Sequence, residues 1–229
     1  MFFLIDNKNK IIFGWSAKCG CSHIKSIYLF LQNDKINPIH GKWGKENLSD
    51  EILNSIENYT TIIICRNPYK RLVSGFLEKY EINGEFRHTW PDKNINFNKF
   101  VNRLGKWKFI DKHHFTPQTT ENFNYKIMNS KIIKLFDIEN IDYNYIEKLY
   151  NKKIPTKLIK FKGGHTRDDM KLDSNIKKNV YDLDMKEYYN SKVEVKYFYN
   201  DELKQKVYEF YKKDFLFFNK YGLNYELKL

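Results

Sequence analysis

Apolar residues at 2–5 and 11–15 flank a polar run, Asp6-Asn7-Lys8-Asn9-Lys10. Two short β-prone runs around a polar turn predict a β-hairpin. Ile24, Ile27, Tyr28 and Leu31 then recur at helical spacing and predict a helix over about 22–32, with Ser22 as its N-cap. A loop over 33–47 holds Pro38, His40, Gly41 and Gly44, after which Ser49 caps a short helix to 56 with Ile52, Leu53 and Ile56 inward. Residues 60–65 (TTIIIC) are a continuous, largely β-branched run, the pattern of a strand buried on both faces in a parallel sheet. Pro68 suits the first turn of a helix whose stripe is Leu72, Val73, Phe76, Leu77 and Tyr80.

Beyond residue 84 the pattern weakens. It predicts a short helix over 97–104, a loop over 113–118, a strand over 131–136, a helix over 143–150 and a basic glycine loop over 160–167. Leu203, Val207, Phe210, Tyr211 and Phe215 predict one long amphipathic helix over 200–221. Strands alternating with helices imply an α/β fold with a mostly parallel sheet. Without repeats or a clear linker, residues 1–229 read as a single domain.

Forty basic against 28 acidic residues give a net charge of +12, which favours an anionic partner such as a nucleotide, nucleic acid, acidic glycan or membrane surface. The three cysteines, Cys19, Cys21 and Cys65, are too few and odd in number for a disulfide framework. Cys19-x-Cys21 lacks the second ligand pair of a zinc site, so no metal is expected. No signal peptide and no apolar run of spanning length is visible, so the expectation is a cytoplasmic protein without a membrane span.

Residues 11–25 (IIFGWSAKCGCSHIK) carry the first chemistry. A strand, a small-residue loop and a helix start place backbone N–H groups and the positive helix end around one point. Lys18 and Lys25 add formal charge, but the Walker A pattern is absent. A serine cap after a strand is also ordinary architecture. The second informative stretch, 66–76, puts Arg66 at the end of a buried strand, where ligands of parallel sheets gather, and Ser74 two turns into the next helix. Taken singly, Arg66 reads first as a partner of a carboxylate and Ser74 as a surface residue.

Together the two stretches resemble the sulfotransferases that use 3′-phosphoadenosine 5′-phosphosulfate (PAPS), most closely the carbohydrate-type members. Their pattern is roughly P-K-x-x-[CS]-[ST]-x-x-[KR], followed by R-[DN]-P-x-x-R-L-x-S. Lys18, Cys21, Ser22 and Lys25 match the first motif, with Ala17 where the family has proline; Arg66 to Ser74 match the second. Weaker resemblance continues at 113–118, at 162–167 and in the last helix. The resemblance implies a three-layer, P-loop-NTPase-like α/β fold with a small, mostly parallel central sheet flanked by helices.

It also implies that Lys18, Cys19, Gly20, Cys21, Ser22, His23 and Lys25 hold the 5′-phosphosulfate, His23 through its backbone. Arg66 and Ser74 would hold the 3′-phosphate, and Gly163, Gly164 and His165 would lie in a loop closing over the nucleotide. Lys18 would stabilise the leaving group. His40, in an Ile39-His40-Gly41 context like that of family bases, would be the general base, with Glu46 as fallback. An unperturbed histidine titrates at about 6.5, which suits that task. The acceptor would be a hydroxyl, on family grounds that of a glycan.

Other residues read as follows. His113 and His114 are candidates to face the acceptor. Trp43, Trp90 and Trp107 read as packing residues before sugar platforms. Lys70 and Arg71 read as solvated, although Arg71 recurs in the family pattern and would there brace the loop. Two rival functions remain. A nucleotide kinase-like phosphotransferase would need a magnesium-binding carboxylate where Cys65-Arg66 stands. A nucleic-acid binder would concentrate basic residues that here are spread along the chain. The oligomeric state has no signature in the sequence.

Overall fold

The computed structural model describes residues 1–34, 47–81, 83–92, 94–119, 123, 125–155, 179–188 and 191–228. In chain order its main elements are β1 (Phe2–Asp6), β2 (Ile11–Trp15), α1 (Cys21–Asn33), α2 (Asp50–Asn54), β3 (Thr60–Cys65), α3 (Pro68–Lys79), α4 (Phe97–Val101), α5 (Lys112–Phe115), β4 (Ile132–Asp137), α6 (Tyr143–Tyr150), α7 (Asp201–Phe210) and α8 (Lys212–Lys220), with 3-10 turns among them. They fall into two compact units: Met1–Arg66 with Gln118–Gly163, and Asn67–Pro117 with Gly164–Leu229.

The first unit is α/β. Its small mixed sheet has the order β1-β2-β3-β4. The predicted hairpin is antiparallel, pairing Phe2 with Trp15 and Asp6 with Ile11. Its turn is held by Asp6, whose carboxylate accepts from the Asn9 N–H at 2.9 Å and from Asn9 Nδ2 at 2.7 Å. β3 runs parallel to both β2 and β4. Every residue of β3 is buried, as its unbroken apolar run requires. Ile24, Ile27 and Leu31 of α1 and Ile146 of α6 pack with Phe13, Trp15, Ile62 and Ile64 into the core of this unit. Full burial of each such side chain contributes about 1.5–3 kcal/mol.

The second unit is built from helices and 3-10 turns around aromatic side chains. Phe76, Tyr80, Phe97, Phe100, Phe115, Tyr199 and Tyr211 lie in its core. Pro68 stands in the first turn of α3, and Asn67 caps that helix by accepting from the Tyr69 N–H at 2.9 Å. Among the described residues no helix is long and apolar enough to cross a membrane.

Several expectations need correction. Ser22 is not the N-cap of α1; Gly20 is, in the left-handed conformation at φ 69°. The helix over 49–56 stops at Asn54 and gives way to a 3-10 turn, and that over 97–104 stops at Val101. Residues 113–118 are not all loop, because the Asp111 carboxylate accepts from the His113 N–H at 3.1 Å and nucleates α5. The long helix over 200–221 breaks at Tyr211, where φ −100° and ψ 17° leave helical geometry. The Tyr211 ring is buried and its hydroxyl donates to the Phe115 carbonyl at 2.7 Å, a tertiary bond that overrides local periodicity. Arg71 is not solvated either: it is 2% exposed and donates from Nη1 to the Thr116 carbonyl at 3.0 Å.

Candidate anion-binding site

β2 ends in a tight turn closed by the Cys19 N–H, which donates to the Ser16 carbonyl at 3.1 Å. Lys18, the third residue of that turn, is left-handed at φ 66°. A turn with positive φ at its third position favours proline at its second. Ala17 holds that second position here. Gly20 then reverses the chain into α1. A Cβ added there would meet the Ile138 side chain, and the positive φ itself favours glycine.

The start of α1 differs from that of most helices among the described residues. Asn67, Asn96, Asp111, Asp142 and Asn200 each cap a helix through their side chains. α1 has no side-chain cap and no acidic residue in its first turn. A helix start without a side-chain cap or acidic first turn is of the kind that suits an anion.

Arg66 directly follows β3. Since β2 and β3 are parallel neighbours, the Ser16–Gly20 loop and Arg66 leave the sheet at the same end. Arg66 Nη1 donates to the Lys18 carbonyl at 3.1 Å. Its Nε and the Ser16 hydroxyl are buried without a hydrogen-bond partner among the described residues. A buried donor on a charged group without a partner is costly, and an anionic ligand would relieve that cost.

Gln118, which the sequence pattern did not single out, is buried beside them. Its Oε1 accepts from the Arg66 N–H at 3.1 Å and from Cys19 Sγ at 2.9 Å, and its Nε2 donates to the Arg66 carbonyl at 2.9 Å. Cys19, Cys21 and Cys65 are not joined in disulfides.

The other expected residues are placed as follows. Lys18 is half-buried. Lys25 is 1% exposed, with its Nζ 4.5 Å from the Trp15 ring centroid. His23 Nε2 is 2.7 Å from the Tyr143 hydroxyl, so its ring faces α6. The Ser22 carbonyl accepts from the Ser26 hydroxyl at 2.9 Å. Ser74 is half-buried on α3, in the second unit. In that unit His114 pairs with Asp111 through Nδ1. Trp90 is buried, whereas Trp107 is 39% exposed. His40, Trp43, Glu46, Gly163, Gly164 and His165 lie outside the described residues. Among the described residues no group of three or more His, Cys, Asp or Glu side chains could hold a metal ion.

The first unit is thus an α/β unit with an uncapped helix start and an arginine at the same end of adjacent parallel strands. The sulfotransferase family profile matches residues 2–222, and the chain belongs to that family. It is 25% identical to human carbohydrate sulfotransferase 9 over 247 aligned positions, covering 94% of this chain and 52% of the relative. It is 24% identical to human carbohydrate sulfotransferase 8 over 95 positions, covering 37% of this chain and 22% of that relative. The chain spans about half the length of the first relative and less of the second. No solved structure matches it significantly.

Proposed function

We propose that this protein transfers the sulfuryl group of PAPS to a hydroxyl, with a carbohydrate as acceptor. The observation that carries the donor assignment is Arg66, anchored on the Lys18 carbonyl and left with a buried, unpartnered Nε beside the uncapped start of α1. In this proposal the loop at Lys18, Cys19 and Gly20, with the first turn of α1, binds the 5′ end of the nucleotide. Arg66 binds the 3′-phosphate. The family pattern also assigns Ser74 to the 3′-phosphate, Lys25 to the 5′ end, and Gly163 and Gly164 to a loop over the nucleotide. The carbohydrate acceptor rests on the names of the two relatives.

In the proposed chemistry the acceptor oxygen attacks sulfur in line. The bond from sulfur to the bridging phosphate oxygen breaks, its electron pair stays on the leaving 3′-phosphoadenosine 5′-phosphate (PAP), and His40 takes the acceptor proton. Lys18 neutralises charge on the leaving oxygen. Alignment and charge stabilisation dominate such transfers, and no metal is invoked. Glu46 is the fallback base. The family match runs through both units, which supports reading 1–229 as one sulfotransferase domain of P-loop-like architecture.

Calorimetry with PAP, Mg-ATP and a single-stranded oligonucleotide tests the donor assignment. Tight, magnesium-independent binding of PAP with weak binding of the other two is expected. Preference for Mg-ATP, or salt-sensitive oligonucleotide binding without PAP affinity, would overturn it in favour of a kinase or a nucleic-acid binder. His40→Ala is expected to abolish transfer to a carbohydrate and leave PAP affinity nearly intact.

A further inference from the structure

Gln118 is 1% exposed, and the proposed function gives it no task. Its amide orientation follows from its partners, since a peptide N–H only donates and a peptide carbonyl only accepts. Oε1 must therefore face the Arg66 N–H and Nε2 the Arg66 carbonyl, at 3.1 and 2.9 Å. The side chain bonds Arg66 as a neighbouring strand would.

The sheet topology explains why a substitute is needed there. β2 pairs with β3 only as far as Gly14 and Ile63, and then turns off at Ser16. On the other side β4 stays paired through Cys65 and Asp137, and the Ile138 N–H still donates to the Cys65 carbonyl at 2.9 Å. Gln118 fills the place that β2 gives up on becoming a loop. It also reaches that loop, because its Oε1 accepts from Cys19 Sγ at 2.9 Å. Cys19 follows Lys18, whose carbonyl accepts from Arg66 Nη1 at 3.1 Å. Two separate routes thus join the same two segments and close a ring of hydrogen bonds.

We propose that Gln118 is a positioning residue that fixes the spacing between the Lys18 loop and Arg66, and so sets selectivity for a ligand with anionic groups at two separated points. This rests on the proposed assignment of the two segments to the two ends of one nucleotide. Gln118 touches neither phosphate in this scheme; it acts through Arg66 and Cys19. Preset half-sites let a second phosphate bind without a reorganisation cost. With the ring open, the second phosphate loses that advantage, while a ligand with one phosphate is little affected.

The test is calorimetric titration with PAP and with AMP, which lacks the 3′-phosphate, on variants whose folding is checked by thermal melting. Wild type should prefer PAP by on the order of 100-fold, the scale of one well-placed charged contact. Gln118→Met should shrink that ratio roughly tenfold or more and change AMP affinity by less than about threefold. In an Arg66→Ala background the same substitution should leave the ratio unchanged, a non-additivity that general loosening of the fold would not produce. Cys19→Ala should shrink the ratio by a smaller factor, and Cys19→Ser, which keeps a donor, should restore it. If Gln118→Met does not fold, the Cys19 pair decides.

An unchanged PAP-to-AMP ratio in folded Gln118→Met, equal losses for both ligands, or identical Cys19→Ala and Cys19→Ser proteins would overturn the positioning role and leave the donor assignment standing. A wild-type protein without preference for PAP would overturn both.

Discussion

Arg66 Nη1 donates to the carbonyl oxygen of Lys18 at 3.1 Å, so the segment after β3 is fastened to the loop after β2 by a charged side chain. The guanidinium has donors to spare for an anion, and its Nε is one of them. Arg66→Ala is expected to weaken PAP binding on the order of 10- to 100-fold, the range for a hydrogen bond to a charged group. Arg66→Lys should recover little of that, because an ammonium lacks the planar fork needed to hold the carbonyl and an anion together. Titration of both variants checks this; near-wild-type affinity in Arg66→Ala would remove Arg66 from the site.

Lys18 is held in the left-handed region, which costs a residue with a Cβ about 1–2 kcal/mol and glycine almost nothing. Two substitutions separate that cost from the charge. Lys18→Ala and Lys18→Gly should weaken PAP binding equally. Lys18→Gly should nevertheless melt roughly 2–4 °C above Lys18→Ala, as a difference of about 1 kcal/mol gives in a chain of this size. Equal melting temperatures would show that the loop conformation carries no strain.

Gly20 combines a positive φ with the close approach to Ile138. Gly20→Ala should destabilise the protein by about 1–3 kcal/mol, part from the backbone and part from overpacking. Adding Ile138→Ala should return the overpacking part and leave the backbone part. Denaturant unfolding of the two single variants and the double variant reads the split directly. A double variant whose loss equals the sum of the two single losses would mean that Ile138 yields without cost.

Much of the first unit was legible because its signals are local. The polar turn at 6–10, the apolar run of β3 and the helical spacing in α1 each suffice on their own. The identity of the α1 cap was not legible, since φ at Gly20 depends on where the loop passes Ile138. The break at Tyr211 comes from its bond to Phe115, far off in sequence. Arg71 did carry a usable sign. It shares a helical face with Leu72, Gly75 and Phe76, a buried position that its charge masks. Gln118 lay only within the weak resemblance at 113–118, and a buried amide's task is recognised only once its partners are placed. Lys18 and Arg66 were found through their motifs, and their mutual bond only through the fold.

The Asp111–His114 pair makes the second unit sensitive to acid. Burial pushes the His114 imidazole below its usual value and outweighs the attraction of Asp111; Lys79 adds to the lowering and Glu78 opposes it. Burial raises the Asp111 carboxyl, but the bonds from His114 and from the His113 N–H more than compensate and hold it below its usual value. Both folded values lie under the unfolded ones, so on acidification the unfolded chain takes up protons first. Stability contributed by His114 is complete above about pH 6.5 and falls as pH drops through its lowered folded value. The Asp111 contribution falls further down, starting near pH 4. Urea unfolding at pH 7.5, 5.5 and 3 should therefore show two successive losses in the wild type. His114→Asn, which keeps an amide donor toward Asp111 but does not titrate, should lose the first and retain the second. Equal losses between pH 7.5 and 5.5 in the two proteins would assign the acid sensitivity to other groups.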